Sequence, residues 1–279
     1  MTKMEYKLVV DSCCELIPEL QSLNPETAPL SMLLDGVNYI DDELLNINHF
    51  ISAMRSSKNV AKSACPSPEV FAEKFRKGMN VFAVTISSKL SGSYNSALVG
   101  AKMAMEGCPE RKVHVFDSLS ASAGEIAVGL KIKECVDLKM DFDSIVRTVT
   151  EFIDGMKTFF ILDTLETLVK AGRVSRIAGY AASVMSLRPI MCSDNGMIKL
   201  YEKARGSVRA FTRLVDLIGE NCTNFADRTL VITHCNNERQ AHFIKAEAQR
   251  RFHFKDIKVT STRGLSTMYA NEGGVIIAF

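Results

Sequence analysis

The chain has 279 residues, 47% hydrophobic and 24% charged, with 34 Lys+Arg against 32 Asp+Glu for a formal net charge of +2. A chain of this length buries about three quarters of its unfolded surface in one large or two modest domains, and the composition excludes disorder, collagen and coiled coil. Near-neutral charge supplies no overall attraction to nucleic acid or to an anionic membrane, although a local basic patch is compatible with transient membrane contact.

In chain order, the N-terminus runs directly into a strand-like segment without the apolar core of a signal peptide. Apolar runs rich in Val, Ile and Phe over residues 6–10, 81–86, 113–116 and 159–162 predict buried strands. Helical patterns fall over 69–77, 93–105, 123–138 and 142–156, and strand alternating with helix argues for an α/β domain with a largely parallel sheet. Residues 26–48 break the alternation: Asp35-Gly36 sits between two apolar runs, the signal of a small β-hairpin excursion. From about residue 158 the pattern changes to a helix over 164–171, a Gly-Arg turn, an apolar helix over 177–187 and strand-like segments 189–192 and 197–201 around Asp194-Asn195-Gly196. Segments 208–219 (helix), 230–233, 237–251 (helix), 257–260 and 274–278 follow. The reading is two α/β domains, 1–158 and 159–279. Residues 177–187, the longest stretch free of charged and amide side chains, reach about half a membrane span. The expectation is a cytoplasmic protein without a transmembrane segment.

Eight scattered cysteines form no CxxC pair and five histidines no HExxH, so the sequence offers neither a zinc site nor a disulfide framework, and no metal or cofactor is expected. Three strands end in polar residues ahead of a helix: Asp11-Ser12, the loop from Ser87 and Ser88 through Ser91, Gly92 and Ser93, and Asp117-Ser118 with Ser120 and Ser122. A parallel sheet gathers such ends on one edge beside helix N-termini, where unpaired N–H groups and hydroxyls suit a carboxylate or phosphate. Helix capping explains one serine or aspartate per loop, but not the density of the Ser88–Ser93 stretch. Ser67-Pro68 reads as an N-cap with proline at the first helical position, which leaves Ser63 for a ligand. Gly172 is a helix C-cap, and Arg173 beyond it is either a solvated arginine or an anion clamp. GxSxG, GxxxxGK[ST] and GxGxxG are all absent and no histidine pairs with Ser91, so no catalytic residues are assigned and binding without turnover is the economical reading.

Together VVDSCCELIPEL, KSACPSPEVF, TISSKLSGSYNSA, VFDSLSASAGE, LDTLETLVKAGRVS with SLRPIM, YEKARG and the closing EGGVIIAF resemble the DegV family of fatty-acid-binding proteins from about residue 5 to the C-terminus. The resemblance implies a long-chain fatty acid held between two α/β domains, its tail in an apolar tunnel, and a separate fatty acid kinase as partner. Carried onto this sequence, it places the carboxylate near Ser63 and the loop of Ser88, Ser91, Gly92 and Ser93, with Arg173 near the head group and partner surface. The 177–187 segment becomes a candidate tunnel wall. Two positions depart from the family pattern: Tyr269 stands where many members carry histidine, and Cys65 where they carry glutamine, preceded by Ala64 instead of serine. The alternatives are an enzyme acting on a lipid or small anion, and a regulatory module without a small ligand.

Overall fold

The computed structural model describes residues 5–174 and 187–279. Its first part runs β1 (Tyr6–Asp11), β2 (Glu26–Ala28), β3 (Ser31–Leu34), β4 (Val37–Ile40), α1 (Ile47–Ser56), β5 (Lys62–Ala64), α2 (Pro68–Phe75), β6 (Asn80–Thr85), α3 (Ser93–Met105), β7 (Lys112–Asp117), α4 (Ala123–Asp137) and α5 (Phe142–Gly155). The rest runs β8 (Thr158–Ile161), α6 (Glu166–Lys170), β9 (Leu187–Asp194), β10 (Met197–Arg205), α7 (Ser207–Asn221), β11 (Thr229–His234), α8 (Glu238–Arg251), β12 (Asp256–Ser261), α9 (Gly264–Ala270) and β13 (Val275–Ala278).

The first sheet has the order β2-β1-β6-β7 and all its pairings are parallel. Helices cover both faces, so β1 is buried along its whole length and reads as a continuous apolar run rather than an alternating one. α2 and α3 pack Phe71, Phe75, Ala97 and Ala101 on one face against Val9, Val81 and Ala83. On the other face, α4 and α5 place Ile126, Ile132, Ile145 and Val149 against Leu8 and Phe82, and the same cluster reaches Val231 and Ala278 of the second sheet. These two helices are thus a layer shared by both sheets. The second sheet is mixed, in the order β10-β9-β8-β13-β11-β12, and α7 and α8 close its outer face. Among the described residues, no helix is long and apolar enough to cross a membrane.

The excursion after β1 is larger than a hairpin and starts later. Residues 26–28 are not part of it: they form β2, which extends the parallel sheet. β3 and β4 make the expected hairpin, and β5 joins β3 to give a three-stranded antiparallel sheet. Both hairpin turns take left-handed conformations at their central residues, Asp35 (φ 49°) with Gly36 (φ 82°) and Asn195 (φ 48°) with Gly196 (φ 81°), the turn whose twist matches the flanking strands. Met32 of the small sheet, Leu30 just before it and Phe50 of α1 pack against Leu265 and Met268 of α9. Of the apolar helix expected over 177–187, all but Leu187 lies outside the described residues, and Leu187 opens β9 rather than ending a helix.

α2 and α3 meet at Gly100, where an added Cβ would lie 2.6 Å from the Pro68 carbonyl oxygen and 2.8 Å from the Phe71 Cβ. Gly100→Ala is therefore expected to destabilise the protein by about 1–3 kcal/mol despite alanine's better helix propensity. A urea midpoint equal to or above the parent's would show that the helices can separate without cost.

Candidate functional site

The three parallel strand ends do share one edge, but their acids hold the backbone together instead of facing a ligand. The Asp11 carboxylate accepts the N–H groups of Cys13 (3.1 Å) and Ile86 (3.0 Å), tying the end of β1 to that of β6. Burial pushes Asp11 up to about 6 against the lowering effect of those hydrogen bonds. Asp117 does the same one strand further on, accepting from Ser88 N (3.0 Å) and Leu119 N (3.1 Å). Ser87 crosses to the second sheet, donating to the Gly196 carbonyl at 2.8 Å.

A channel lies along this seam. Leu30, Ile86, Leu90, Phe160, Leu162, Leu168, Ile198, Leu265 and Ile276 give it an apolar wall drawn from both large sheets, the small sheet and α9. On β8 the channel-facing residues alternate as Thr158, Phe160 and, just past the strand, Leu162, so this element runs along the channel.

At the Leu162 end four of the seven residues singled out from sequence converge: Ser63, Ser91, Arg173 and Tyr269 all line the wall. β5 presents Ser63 and α9 presents Tyr269; the packing of the small sheet on α9 brings their oxygens to 2.9 Å. Such a pair holds two protons and needs only one between them, so one O–H is free for a ligand. Ser91 accepts the Ser93 N–H at 3.2 Å and lies 3.2 Å from the Ser93 hydroxyl, an arrangement in which its own O–H can turn to the channel. The turn after α6 takes φ +72° at Gly172 and projects Arg173 back over the loop before α3. Its Nε donates to Leu90 O (3.0 Å) and its Nη1 to Ala171 O (2.6 Å), which fixes the guanidinium plane in the wall with Nη2 to spare.

The other three do not reach the wall. Ser88 spends its N–H on Asp117, Gly92 is the exposed N-cap of α3, and Ser93 is fully buried beneath the loop. Gly92 does have a local reason: a Cβ there would stand 3.1 Å from Cys65 Sγ. Beyond this end the channel meets a cleft of about 770 Å³ that shares Ser63, Arg173 and Tyr269 and adds Lys58, Lys62 and Lys170. The positive charge absent from the overall balance is gathered here, opposite Asp35, whose carboxylate is taken by Asn59.

Sequence reasoning did not single out the hydroxyls farther along, Thr158, Ser193 and Ser266, which join Ser120 and Ser122 in the wall. A lone serine or threonine in a strand or helix carries no signal of its own; only the meeting of the two sheets puts them together. No histidine and no carboxylate is among the described residues that line the channel. Cys13, the one thiol among them, is pushed well up by burial and the neighbouring acids, so it stands as a neutral wall group.

An apolar channel with hydroxyl donors and a fixed guanidinium at one end defines a binding protein for an amphipathic anion. The model of the DegV family, described as an uncharacterised protein family, matches residues 5–279, and the chain belongs to that family. A DegV domain-containing protein of Streptococcus pneumoniae is 31% identical over 281 residues, 99% of each chain. The structure of a DegV family protein from Ruminococcus gnavus, refined with vaccenic acid, superposes with a TM-score of 0.95 at 36% identity, covering 100% of both chains. The Fatty Acid Kinase (Fak) B3 protein of Streptococcus pneumoniae, loaded with linoleic acid, gives a TM-score of 0.92 at 30% identity over 99% of both chains. A DegV family protein from Eubacterium eligens loaded with heptadecanoic acid gives 0.91 at 27% over 98% of each.

Proposed function

We propose that this protein is a cytoplasmic carrier that binds one long-chain fatty acid in the seam between an N-terminal half, 1–158, and a C-terminal half, 159–279. The carboxylate sits at Ser63, Ser91, Tyr269 and Arg173, with Ser88, Gly92 and Ser93 shaping the loop beneath it, and the tail follows β8. The carrier presents its acid to a separate fatty acid kinase and does not turn it over itself. The observation that carries this reading is the asymmetry of the channel: an apolar wall along its length, with free donors and a cation at the end that opens on the basic cleft. Relatives at 27–36% identity hold a fatty acid each, and one of them bears the name of a fatty acid kinase component.

Burial of ~10 methylenes gains about 8 kcal/mol before ordering costs, enough for the ligand to survive purification. An organic extract of the purified protein, analysed by mass spectrometry, is expected to contain a long-chain fatty acid in about equimolar amount. An extract free of fatty acid, together with no saturable uptake by delipidated protein in calorimetry, would remove the carrier reading.

A further inference from the structure

Counting protons along the channel wall separates one hydroxyl pair from the rest. Away from the head-group end, Ser193 donates to Leu119 O (2.6 Å), Ser266 to Cys13 O (3.2 Å) and Ser122 to the Glu15 carboxylate (2.8 Å). Each of these protons has an acceptor, and these hydroxyls ask nothing of a ligand. Ser120 and Thr158 differ. Their oxygens lie 2.7 Å apart, both side chains are buried (2% and 5% exposed), and each has no side-chain partner but the other among the described residues. Two hydroxyls carry two protons and one bond between them uses one, so a buried O–H is left without an acceptor among the described residues of the wall.

The pair also has a definite depth. Thr158, Phe160 and Leu162 follow one another along the channel, and Leu162 stands at the head-group end beside Leu168, whose carbonyl accepts the Arg173 N–H at 2.9 Å. Four residues of extended chain from Leu162 to Thr158 span about 13 Å. On the loop side the Ser87 N–H donates to Ser120 O (2.8 Å) while the Ser91 N–H donates to Ser87 O (3.1 Å), so the spare donor lies along the acyl chain between its carboxylate and its middle. A saturated chain leaves that proton unpaired. An oxygen on the chain at that depth accepts it, and if the oxygen is a hydroxyl, the paired serine and threonine oxygens still have lone pairs to take its proton.

We propose that the ligand this protein selects is an oxygenated long-chain fatty acid, one bearing a hydroxyl or carbonyl between its carboxylate and the middle of its chain, with the Ser120–Thr158 pair as the reader of that oxygen. This inference rests on the carrier reading above and adds the class of acid carried.

Calorimetry on the delipidated full chain with stearate and with hydroxystearates substituted at successive carbons up to the midpoint tests it, the best of them being compared with stearate, with oleate as the control for a chain bend or double bond. The parent is expected to bind hydroxystearate about two- to tenfold more tightly than stearate, the range of one net hydrogen bond. Ser120→Ala alone should keep the preference, because the Thr158 proton is then free. Ser120→Ala with Thr158→Val should reverse it, since the ligand hydroxyl is desolvated without a partner. Equal affinities in the parent would overturn the proposal and point to a trapped water on the spare proton. So would a preference that survives the double variant, or a gain for oleate as large as that for hydroxystearate. Should the double variant not fold, the parent's ratio of hydroxystearate to stearate and its comparison with oleate still decide. Failure of every acid to bind would remove the carrier reading itself, a result distinct from binding without discrimination.

Discussion

Replacing Ser63 by alanine and Tyr269 by phenylalanine together is expected to weaken fatty acid binding by roughly 1.5–3 kcal/mol, about ten- to a hundredfold, while either change alone costs clearly less. The inequality follows from the geometry of the pair. With their oxygens 2.9 Å apart, the two hydroxyls share one proton and offer the other to the ligand. Remove either group and the survivor, released from its partner, still has a proton to give the carboxylate. Remove both and the carboxylate loses a donor outright, leaving it only Ser91 and the Nη2 of Arg173, whose Nε and Nη1 are committed to Leu90 and Ala171. Calorimetric titration of delipidated single and double variants measures the three affinities. Additive losses would mean that Ser63 and Tyr269 contact the ligand independently; a double variant that binds like the parent would place the carboxylate elsewhere in the channel.

Tyr269 also illustrates how far the sequence reaches. Its place in the chain was legible only through resemblance, as the residue standing where relatives carry histidine. Nothing in Leu265-Ser266-Thr267-Met268-Tyr269, short and rich in small residues, marks it as α9, and its meeting with Ser63 depends on Asp41, whose carboxylate accepts the Leu265 N–H at 2.8 Å across 224 positions. Lys62–Ala64 has no apolar run and carries no strand signal; it is a strand because β3 supplies the pairing. β2 escaped for the same reason, three residues made extended by their parallel register with β1. The long buried strands and the two turn-defined hairpins were legible because burial on both faces and positive φ each demand particular residue types. Which serine of the loop before α3 faces the channel was not, since a turn of a single residue exchanges Ser91 for a neighbour. Asp11 and Asp117 looked like site residues from their places at strand ends, and only their backbone partners show them to be fasteners.

Behind those fasteners lies a group of buried acids with a consequence for stability. Glu15 and Glu125 stand near Asp11 in the interior, 3% and 0% exposed, and neither Glu125 carboxyl oxygen has a hydrogen-bond partner among the described residues. Burial raises Glu15 from an ordinary 4.5 to about 7, and burial together with the Asp11 charge raises Glu125 well above 4.5. In all three the folded protein keeps a proton that the unfolded chain has already released. Their contribution is therefore fully present below the unfolded values near 4 and is lost as pH rises through the folded ones. His114 and His234 act in the opposite sense: burial lowers both, so the unfolded chain binds the extra proton and stability rises with pH up to about 6.5. The surface carboxylates lowered by ion pairs, such as Glu19 and Glu26, have lost their protons in both states by pH 6 and contribute no slope above it. The window from pH 6.5 to 8 thus isolates the buried acids. Glu15, titrating at about 7, and Glu125, raised by burial and the Asp11 charge, each lower folding stability as pH rises while they retain a proton that the unfolded chain has released, at a slope of up to about 1.4 kcal/mol per pH unit for each proton. Urea unfolding of the parent should show that fall between pH 6.5 and 8. Glu125→Gln, which keeps the shape of the side chain and removes the titration, should show a shallower slope than the parent, the remainder belonging to Glu15, and be more stable than the parent at pH 8. A parent stability that is flat or rising across this window, or a variant that tracks it in parallel, would mean that Glu125 is ionised in the folded protein and balanced by a charge within its reach.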